Sequence, residues 1–378
     1  MPPIVLDGHN GSRALRARRW RVAITAETLR RLRDLASTVG GEVDDTVRSL
    51  TAAWVRAWDE LDPAWRRALN DILSSAAATG AWPAPWQLYR VASVSAAAQQ
   101  TEMALTALAA EAGITTSAGA STAVAATAAA EPLIIASQLP AEMAADAAAV
   151  YAAAVLPTAL DVIVQRTTER ITAQTRPLGR TADEAVRRAL IRGIAVGDNP
   201  NVAARDMLAR VQDAFEGGLG RAIVVARTEM VDAYRQASRY AHEANSDVLA
   251  GWTWLCRLDT TSCVACWAMH GTVFPLSEPG PLDHPQGRCA RAPKVKPWRE
   301  LGFAVDEPAD VLPDGRATFD ALDEADQLAV LGRARLDLLR SGRIRWDQLA
   351  IRKDNPGWRP SYVPTPLHAL QRAAGRRA

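Results

Sequence analysis

The sequence contains few lysines and cysteines, and neither sign of charge is in excess. Its 378 residues include 44 Lys and Arg against 42 Asp and Glu, which gives a formal net charge of +2. This balance excludes a generally basic coat for nucleic acid. Because 48% of the residues are hydrophobic and 12 are Trp, wholesale disorder is excluded as well. The length predicts two or three domains with buried cores.

No stretch is apolar enough to predict a membrane span or a secretory signal. Residues 112–130 carry no charge, but their Ser, Thr, Gly and Ala are too weakly apolar to cross a bilayer. Residues 147–160 are more apolar, yet this run is short and contains Pro157. The arginines of residues 1–19 are not followed by an apolar core. We therefore expect no membrane partner.

Motifs of the common enzyme classes are missing too. The chain has no Walker loop, no dinucleotide glycine fingerprint and no Gly-x-Ser-x-Gly elbow. His270 with Asp259, or His284 with Asp283, would have to act as acid–base pairs, or Cys263 as a nucleophile. Nothing in the spacing selects these roles, so we expect no enzyme and no small-molecule substrate.

Helical periodicity dominates the first 244 residues. Thr25 is a candidate N-cap for a helix that Gly40-Gly41 ends, a second helix starts near Asp45, and Asp62-Pro63 restarts the pattern up to Gly80. The Trp residues in this region recur at helical spacing. This spacing favours a core role for them over a base-stacking one.

Further helices and turns are predicted along the middle of the chain. A joint rich in proline at 82–86 precedes a helical stretch at 87–110, and residues 113–130 then form either a solvated helix or a mobile linker. Much of a helical block at 140–175 should be buried against a neighbouring element or another subunit. The later elements are a helix from a Thr181/Glu184 capping box to Gly197, a short helix from Pro200 to Gly217-Gly218, a helix at 219–244, and strands at 248–255 and 272–274.

The predicted fold class is mainly α, with four regions. They are an N-terminal helical region (1–82), an Ala-rich helical region with a flexible segment near 113–130 (83–176), a small α+β domain with a Cys/His cluster (177–297), and a C-terminal region (298–378). In the last region we expect one helix at 323–340, which Gly342 ends, and then a basic extended arm from residue 352.

All four cysteines lie in one short segment. Cys263-x2-Cys266 and His284-x4-Cys289 supply two close pairs of ligands, a set that structural zinc commonly uses. A closed set of four ligands leaves no open position for water, so the predicted role of the ion is to fold a domain with little core. The spare candidates are His270 and Cys256. The competing interpretation is buried free thiols with an exposed His284.

The same segment resembles the phage Mu F-like minor head (head morphogenesis) proteins. The resemblance covers about 181–293, and a second likeness to the tail region of such phage proteins covers 319–349. It rests on Ala226-Arg227-Thr228-Glu229, Trp252, Leu258 to Cys266, Met269 to Phe274, His284-Pro285 and Arg288-Cys289. One departure is Gly287, because the family often has a cysteine at this position of a His-Pro-x-Cys-Arg-Cys motif.

The resemblance implies a minor capsid protein of a tailed bacteriophage, located in the virion at the capsid interior or portal vertex, with the host cytoplasm as its site of assembly. Portal protein and major capsid protein are the implied partners, in head assembly or in DNA packaging and delivery. The basic ends, above all Arg13, Arg16, Arg18 and Arg19, either contact packaged DNA or are solvated tails.

Two other classes stay open. The first is a metal-dependent nuclease or zinc-stabilised nucleic-acid-binding protein built on the same Cys/His cluster. The second is a toxin fused to a head-protein domain. This class is less favoured, because no separate set of catalytic residues follows Pro297.

Overall fold

The computed structural model describes residues 23–79, 87, 90–194, 200–355 and 359–375. Over these residues the chain is mainly helical with two small sheets, which confirms the expected class. It divides into two compact units. Unit 1 draws its described residues from Met1–Val39, Val124–Asp161 and Tyr234–Ala378, and unit 2 draws its own from Gly40–Ala123 and Val162–Ala233.

Five helices come first along the chain. They are α1 (Ala26–Thr79), α2 (Ala92–Ala136), α3 (Ala141–Ala154), α4 (Pro157–Ile194) and α5 (Pro200–Ala244). Thr25 caps α1 as predicted, since its hydroxyl accepts from the Thr28 N–H at 3.1 Å. By length and composition alone, α2 would suffice to cross a membrane, and half of its most apolar window is buried within the structure.

The predicted ends of several helices are wrong. Helix α1 continues through Gly40-Gly41 and Pro63, and α5 continues through Gly217-Gly218. Glycine inside a helix costs about 1 kcal/mol of stability relative to alanine. Packing of the residues before and after the glycines offsets this cost. Around the glycines of α5, for example, Phe215 and Ala222 are both buried in one core.

The predicted block at 140–175 is two helices instead of one. The break lies at Val155 and Leu156, because the residue before Pro157 is sterically kept out of helical conformation. Helix α4 then runs on through Pro177, and the predicted capping box does not form. The Thr181 hydroxyl instead donates to the Pro177 carbonyl at 2.9 Å. The predicted joint at 82–86, Gly80 and Gly197 lie outside the described residues.

Residues 113–130 form a helix that is buried along one face and exposed along the other, so the mobile linker is wrong and the solvated helix is only half right. They form part of α2, where Thr116 and Ala120 are buried. At Gly119 the lack of a side chain allows close approach of other segments of unit 2. A Cβ added at Gly119 would lie 2.6 Å from Cε of Met230 and 2.7 Å from Oγ1 of Thr46.

Tryptophans form part of the core of unit 2, as predicted. Trp54 and Trp65 are buried, and the Trp65 indole N–H donates to the Thr101 hydroxyl at 3.0 Å. Trp58 packs against Phe215 with ring centroids 5.4 Å apart. These contacts account for the tryptophans without a bound base.

A three-stranded antiparallel sheet forms the centre of the Cys/His region in unit 1. Its strands are β1 (Leu249–Leu255), β2 (Val273–Phe274) and β3 (Ala290–Val295), in the order β2-β1-β3, and the short helix α6 (Val264–Met269) connects β1 to β2. The first two strands confirm the prediction. The third was missed because it contains Pro293, which a strand tolerates at the edge of a sheet.

The C-terminal region is folded up to residue 375, so the predicted extended arm is wrong over the described residues. It contains α7 (Gly315–Asp320), α8 (Glu324–Leu331), α9 (Arg333–Arg340), a 3₁₀-helix (Trp346–Leu349), the antiparallel pair β4 (Ala350–Lys353) and β5 (Ser361–Pro364), and α10 (Leu367–Gly375). The predicted single helix at 323–340 is split at Gly332, whose φ of 71° is left-handed. Leu370 and Ala374 are buried in a cluster with Trp267 and Phe319, and this apolar contact folds the segment.

A chain of buried polar side chains crosses unit 1. His242 on α5 donates from Nε2 to Glu131 on α2 at 3.0 Å, and its Nδ1 accepts from the Nε–H of Arg291 on β3 at 3.0 Å. The Arg291 guanidinium also lies 4.4 Å over the Trp252 ring. A neutral imidazole thus connects a buried carboxylate to a buried guanidinium.

Candidate metal centre

The first pair of cysteines is fixed by the start of α6. Cys263 is the N-cap residue of this helix, and its sulfur accepts from the Cys266 backbone N–H at 3.4 Å. The two Sγ atoms consequently lie 3.4 Å apart. The two-residue spacing therefore brings both thiols to one point, as the sequence predicts.

The second pair lies on the loop before β3. A turn closes this loop through the Gly287 N–H, which donates to the His284 carbonyl at 2.9 Å, with Gln286 at a φ of 61°. Nδ1 of His284 donates to the Pro285 carbonyl at 2.8 Å. This contact fixes the tautomer and leaves Nε2 for a thiol or a metal, the arrangement common among histidine ligands of metals.

The structure brings the predicted ligands together in two overlapping groups. The ligand atoms of Cys263, Cys266 and His284 all lie within 4.8 Å of one another, and so do those of Cys266, Asp283 and Cys289. Cys266 belongs to both groups, so Cys289 joins the site through it. All four cysteines and His284 border one cavity of about 80 Å³.

The electrostatics of the site favour a thiolate beside a charged imidazole. The hydrogen bond from Cys266 lowers the pKa of Cys263 to about 4, helped by His284. The reciprocal bond to Cys263 raises the pKa of His284 to about 9. The bond to Cys263 and burial also raise the pKa of Cys266. For Cys289 a hydrogen bond from Cys256 lowers the pKa, but the bond to Cys266 and burial outweigh it and raise the value.

The two spare candidates occupy different places. His270 has both ring nitrogens engaged by backbone, since Nδ1 accepts from the Cys256 N–H and Nε2 donates to the Pro313 carbonyl, each at 3.0 Å. It therefore has no ring lone pair left for a metal. Cys256 ends β1 as a buried thiol beside Cys289, and its hydrogen bond to Cys289 and its burial raise its pKa.

The donor set suits a structural zinc ion. Zinc takes four tetrahedral ligands from cysteine thiolates and neutral imidazole, and the sulfurs of the site are of the soft type that selects it. Cys263, Cys266, His284 and Cys289 would be its ligands. The described residues around the site also include two ionic groups that sequence reasoning did not assign to it, Arg235 and Asp283, because the residues lie 48 positions apart and share no motif.

The weak nucleic-acid contacts predicted at Arg13, Arg16, Arg18 and Arg19 lie outside the described residues. Asp259, which the sequence offered as an acid–base partner of His270, makes local hydrogen bonds instead. The Asp259 carboxylate accepts from the hydroxyls of Thr261 and Ser262 at 2.8 Å each, which shapes the loop before Cys263.

Taken together, the fold and the site define a mainly helical protein whose small α+β region holds a Cys/His group able to bind a metal ion. Residues 184–291 match the family described as Phage Mu protein F like protein. The matched segment is less than a third of the chain, includes all four predicted ligands, and confirms the resemblance over this range. Neither a curated protein nor a solved structure matches the chain.

Proposed function

We propose that the protein is a minor capsid, or head morphogenesis, protein of a tailed bacteriophage. Its role is structural, in head assembly or in DNA packaging and delivery. The observation that carries this proposal is the match of residues 184–291 to the Phage Mu protein F like family. The described residues beside the Cys/His group add a reason for a structural role, because His270 is held by backbone contacts on both ring nitrogens.

A zinc ion completes the Cys/His region in this proposal. Cys263, Cys266, His284 and Cys289 hold it, and the ion supplies a crosslink between the start of α6 and the loop before β3. Residues 275–289 contain no regular helix or strand, so their conformation depends on such crosslinks and on side-chain contacts. Elemental analysis of the purified chain should give about one zinc per molecule. A metal-free chain that is fully folded would contradict this assignment.

Portal protein and major capsid protein are the partners we propose. Exposed apolar side chains on and beside α3 support a protein contact, since Met143, Val150 and Leu156 are 44%, 65% and 56% exposed. Packaged DNA is a further partner through the basic ends. The proposed location is the capsid interior or the portal vertex.

Mass spectrometry of purified virions tests the location. The chain should be present at low copy number, and particles made without it should be misassembled or non-infectious. A chain that is expressed during infection but missing from purified virions would contradict the proposal.

The alternative of a metal-dependent nuclease is tested separately with plasmid DNA and Mg²⁺ or Mn²⁺. Under our proposal the DNA stays intact. Cleavage that His284→Ala abolishes would favour the nuclease. The engaged ring nitrogens of His270 are the specific feature that weighs against it as a general base.

A further inference from the structure

Arg235 lies behind the second pair of ligands, on α5, and is 4% exposed. Its guanidinium donates two parallel hydrogen bonds to the Asp283 carboxylate, from Nη1 to Oδ1 at 2.7 Å and from Nη2 to Oδ2 at 2.6 Å. Asp283 is fully buried, and it directly precedes His284. A bidentate pair of this kind fixes geometry as well as charge.

The Asp283 carboxylate has no room for a metal ion, although it lies within 4.8 Å of two cysteine sulfurs. Besides the two bonds from Arg235, Oδ1 accepts from Nη2 of Arg359 at 3.3 Å, and Oδ2 accepts from the Cys289 N–H at 3.2 Å. Four donors therefore meet the roughly four lone-pair positions of a carboxylate. Asp283 acts on the site through hydrogen bonds instead of by ligation.

The same guanidinium also holds the backbone of the ligand loop. Nη2 of Arg235 donates to the Gly287 carbonyl at 3.0 Å, and Nε and Nη2 reach the Cys289 carbonyl at 3.0 and 2.7 Å. One side chain thereby fixes three points of the loop, two of them at the carbonyls of Gly287 and Cys289, the residues on either side of Arg288.

Gly287 shows how tightly the loop closes over this ion pair. A Cβ at position 287 would lie 2.1 Å from Oδ2 of Asp283, closer than any real contact. The carboxylate thus fills the space that a side chain at 287 would need. The loop and the ion pair fit only as a unit.

We propose that Arg235 and Asp283 are positioning residues for the metal centre, and that they place Cys289 as the ligand that completes the site. This inference rests on the proposed zinc site. It adds the reason why Cys289, which is distant in sequence from the Cys263/Cys266 pair, faces the same ion. Without the guanidinium, the loop carries Cys289 away while Cys263 and Cys266 keep their places on α6.

The test separates positioning from mere stability. A buried ion pair replaced by apolar side chains of similar volume is often neutral for folding. The double variant Arg235→Met/Asp283→Leu removes the loop contacts but fills the space, and Arg235→Lys is a milder variant that keeps the charge without the fork. The control is Arg239→Ala on the same helix, whose partner Glu243 is 40% exposed.

Each full-length variant is titrated with Zn²⁺ against a competing chelator, and with Co²⁺ as a spectroscopic probe of thiolate ligands. We expect both Arg235 variants to bind Zn²⁺ about 10- to 100-fold more weakly, with weaker thiolate-to-cobalt absorption from the loss of one thiolate. Arg239→Ala should equal the parent. If the double variant fails to fold, the Zn²⁺ affinity and the cobalt spectrum of Arg235→Lys alone decide the test.

Parental affinity and spectra in the Arg235 variants would overturn the positioning role and leave the zinc site intact. A parent chain that binds neither ion would overturn both. Neither result bears on whether the chain is found in virions, which mass spectrometry decides independently.

Discussion

At the residue scale, the chemistry of the protein is concentrated in a few buried polar groups of unit 1. Cys263 is stabilised as a thiolate by the Cys266 thiol and by His284, whereas Cys256 and Cys289 lie buried with raised pKa values. A metal ion would bind by displacing the protons of the buried thiols. The individual cysteines should therefore respond differently to substitution.

Serine substitution distinguishes ligand thiols from the neighbouring thiol. Cys263→Ser and Cys266→Ser should abolish stoichiometric zinc binding and make the Cys/His region sensitive to protease, because serine is a poor zinc ligand. Cys256→Ser is the matched control and should keep one zinc per chain. Elemental analysis and limited proteolysis measure both effects. Ligand variants that resist digestion as the parent does would show that the cluster is not structural.

His242 should make stability depend on pH. Burial lowers its pKa, although Glu131 and, more weakly, Glu243 raise it, while Arg291 lowers it further. With the folded pKa below the unfolded value of about 6.5, the contribution to stability is present above that value. It is lost as the pH falls towards the folded pKa.

The variant His242→Gln tests this dependence. Its amide can donate to Glu131 and accept from Arg291, but it does not titrate. Chemical unfolding between pH 7.5 and 5 should show a smaller loss of stability for the variant than for the parent. Equal slopes would exclude His242 as the source. Because the zinc ligands titrate in both proteins, the difference between the slopes is the quantity to compare.

At the element scale, close packing around small residues outweighs the local preference of glycine for turns. In α2 the backbone at Gly119 lies against Met230 and Thr46, so this part of a segment without large side chains is packed inside unit 2. Conversely, Gly332 does end a helix, because its φ of 71° is one that only glycine adopts readily. The same residue type therefore has opposite roles according to its surroundings.

Two glycine substitutions check this contrast. Gly119→Val should lower the free energy of unfolding by about 1–3 kcal/mol, because the added side chain overpacks α2. Gly220→Ala on α5 is the control. A Cβ there meets nothing within 4 Å, so alanine should raise stability by about 0.5–1 kcal/mol. Denaturant unfolding gives both values, and a neutral Gly119→Val would contradict the packing.

At the scale of the whole molecule, the two units use different sources of stability. Unit 2 has a large apolar core with the buried side chains of Trp54, Trp65 and Phe215. Around its small sheet, unit 1 combines an apolar cluster that contains Trp252 and Trp254 with buried polar contacts, such as those of Arg235, and with the Cys/His group. The C-terminal pair of strands adds to these contacts, since the Tyr362 N–H donates to the Leu282 carbonyl at 2.6 Å.

Removal of the metal should therefore affect only one part of the chain. After incubation with a strong chelator, limited proteolysis should cut within residues 256–289, while fragments from α1, α2, α4 and α5 persist. Added zinc should restore protection. Cleavage that spreads equally over the long helices would contradict this local effect.

Part of this structure could be predicted because it depends on neighbours in the chain. The helical class, the cap at Thr25, strands β1 and β2, and the close approach of Cys263 and Cys266 all follow from periodicity or from spacing within one turn. The phage Mu protein F likeness is equally a property of residue order.

Tertiary structure alone decided the rest. Helices pass through Gly40-Gly41 and Pro177, one face of residues 113–130 is buried, and the C-terminal arm folds, because contacts with distant residues outweigh local preferences of about 1–3 kcal/mol. Arg235 and Asp283 meet only after α5 and the ligand loop are packed together. The sequence by itself determined which side chains were available for the site. Long-range packing determined which of them face each other, since that depends on contact energies that no local pattern encodes.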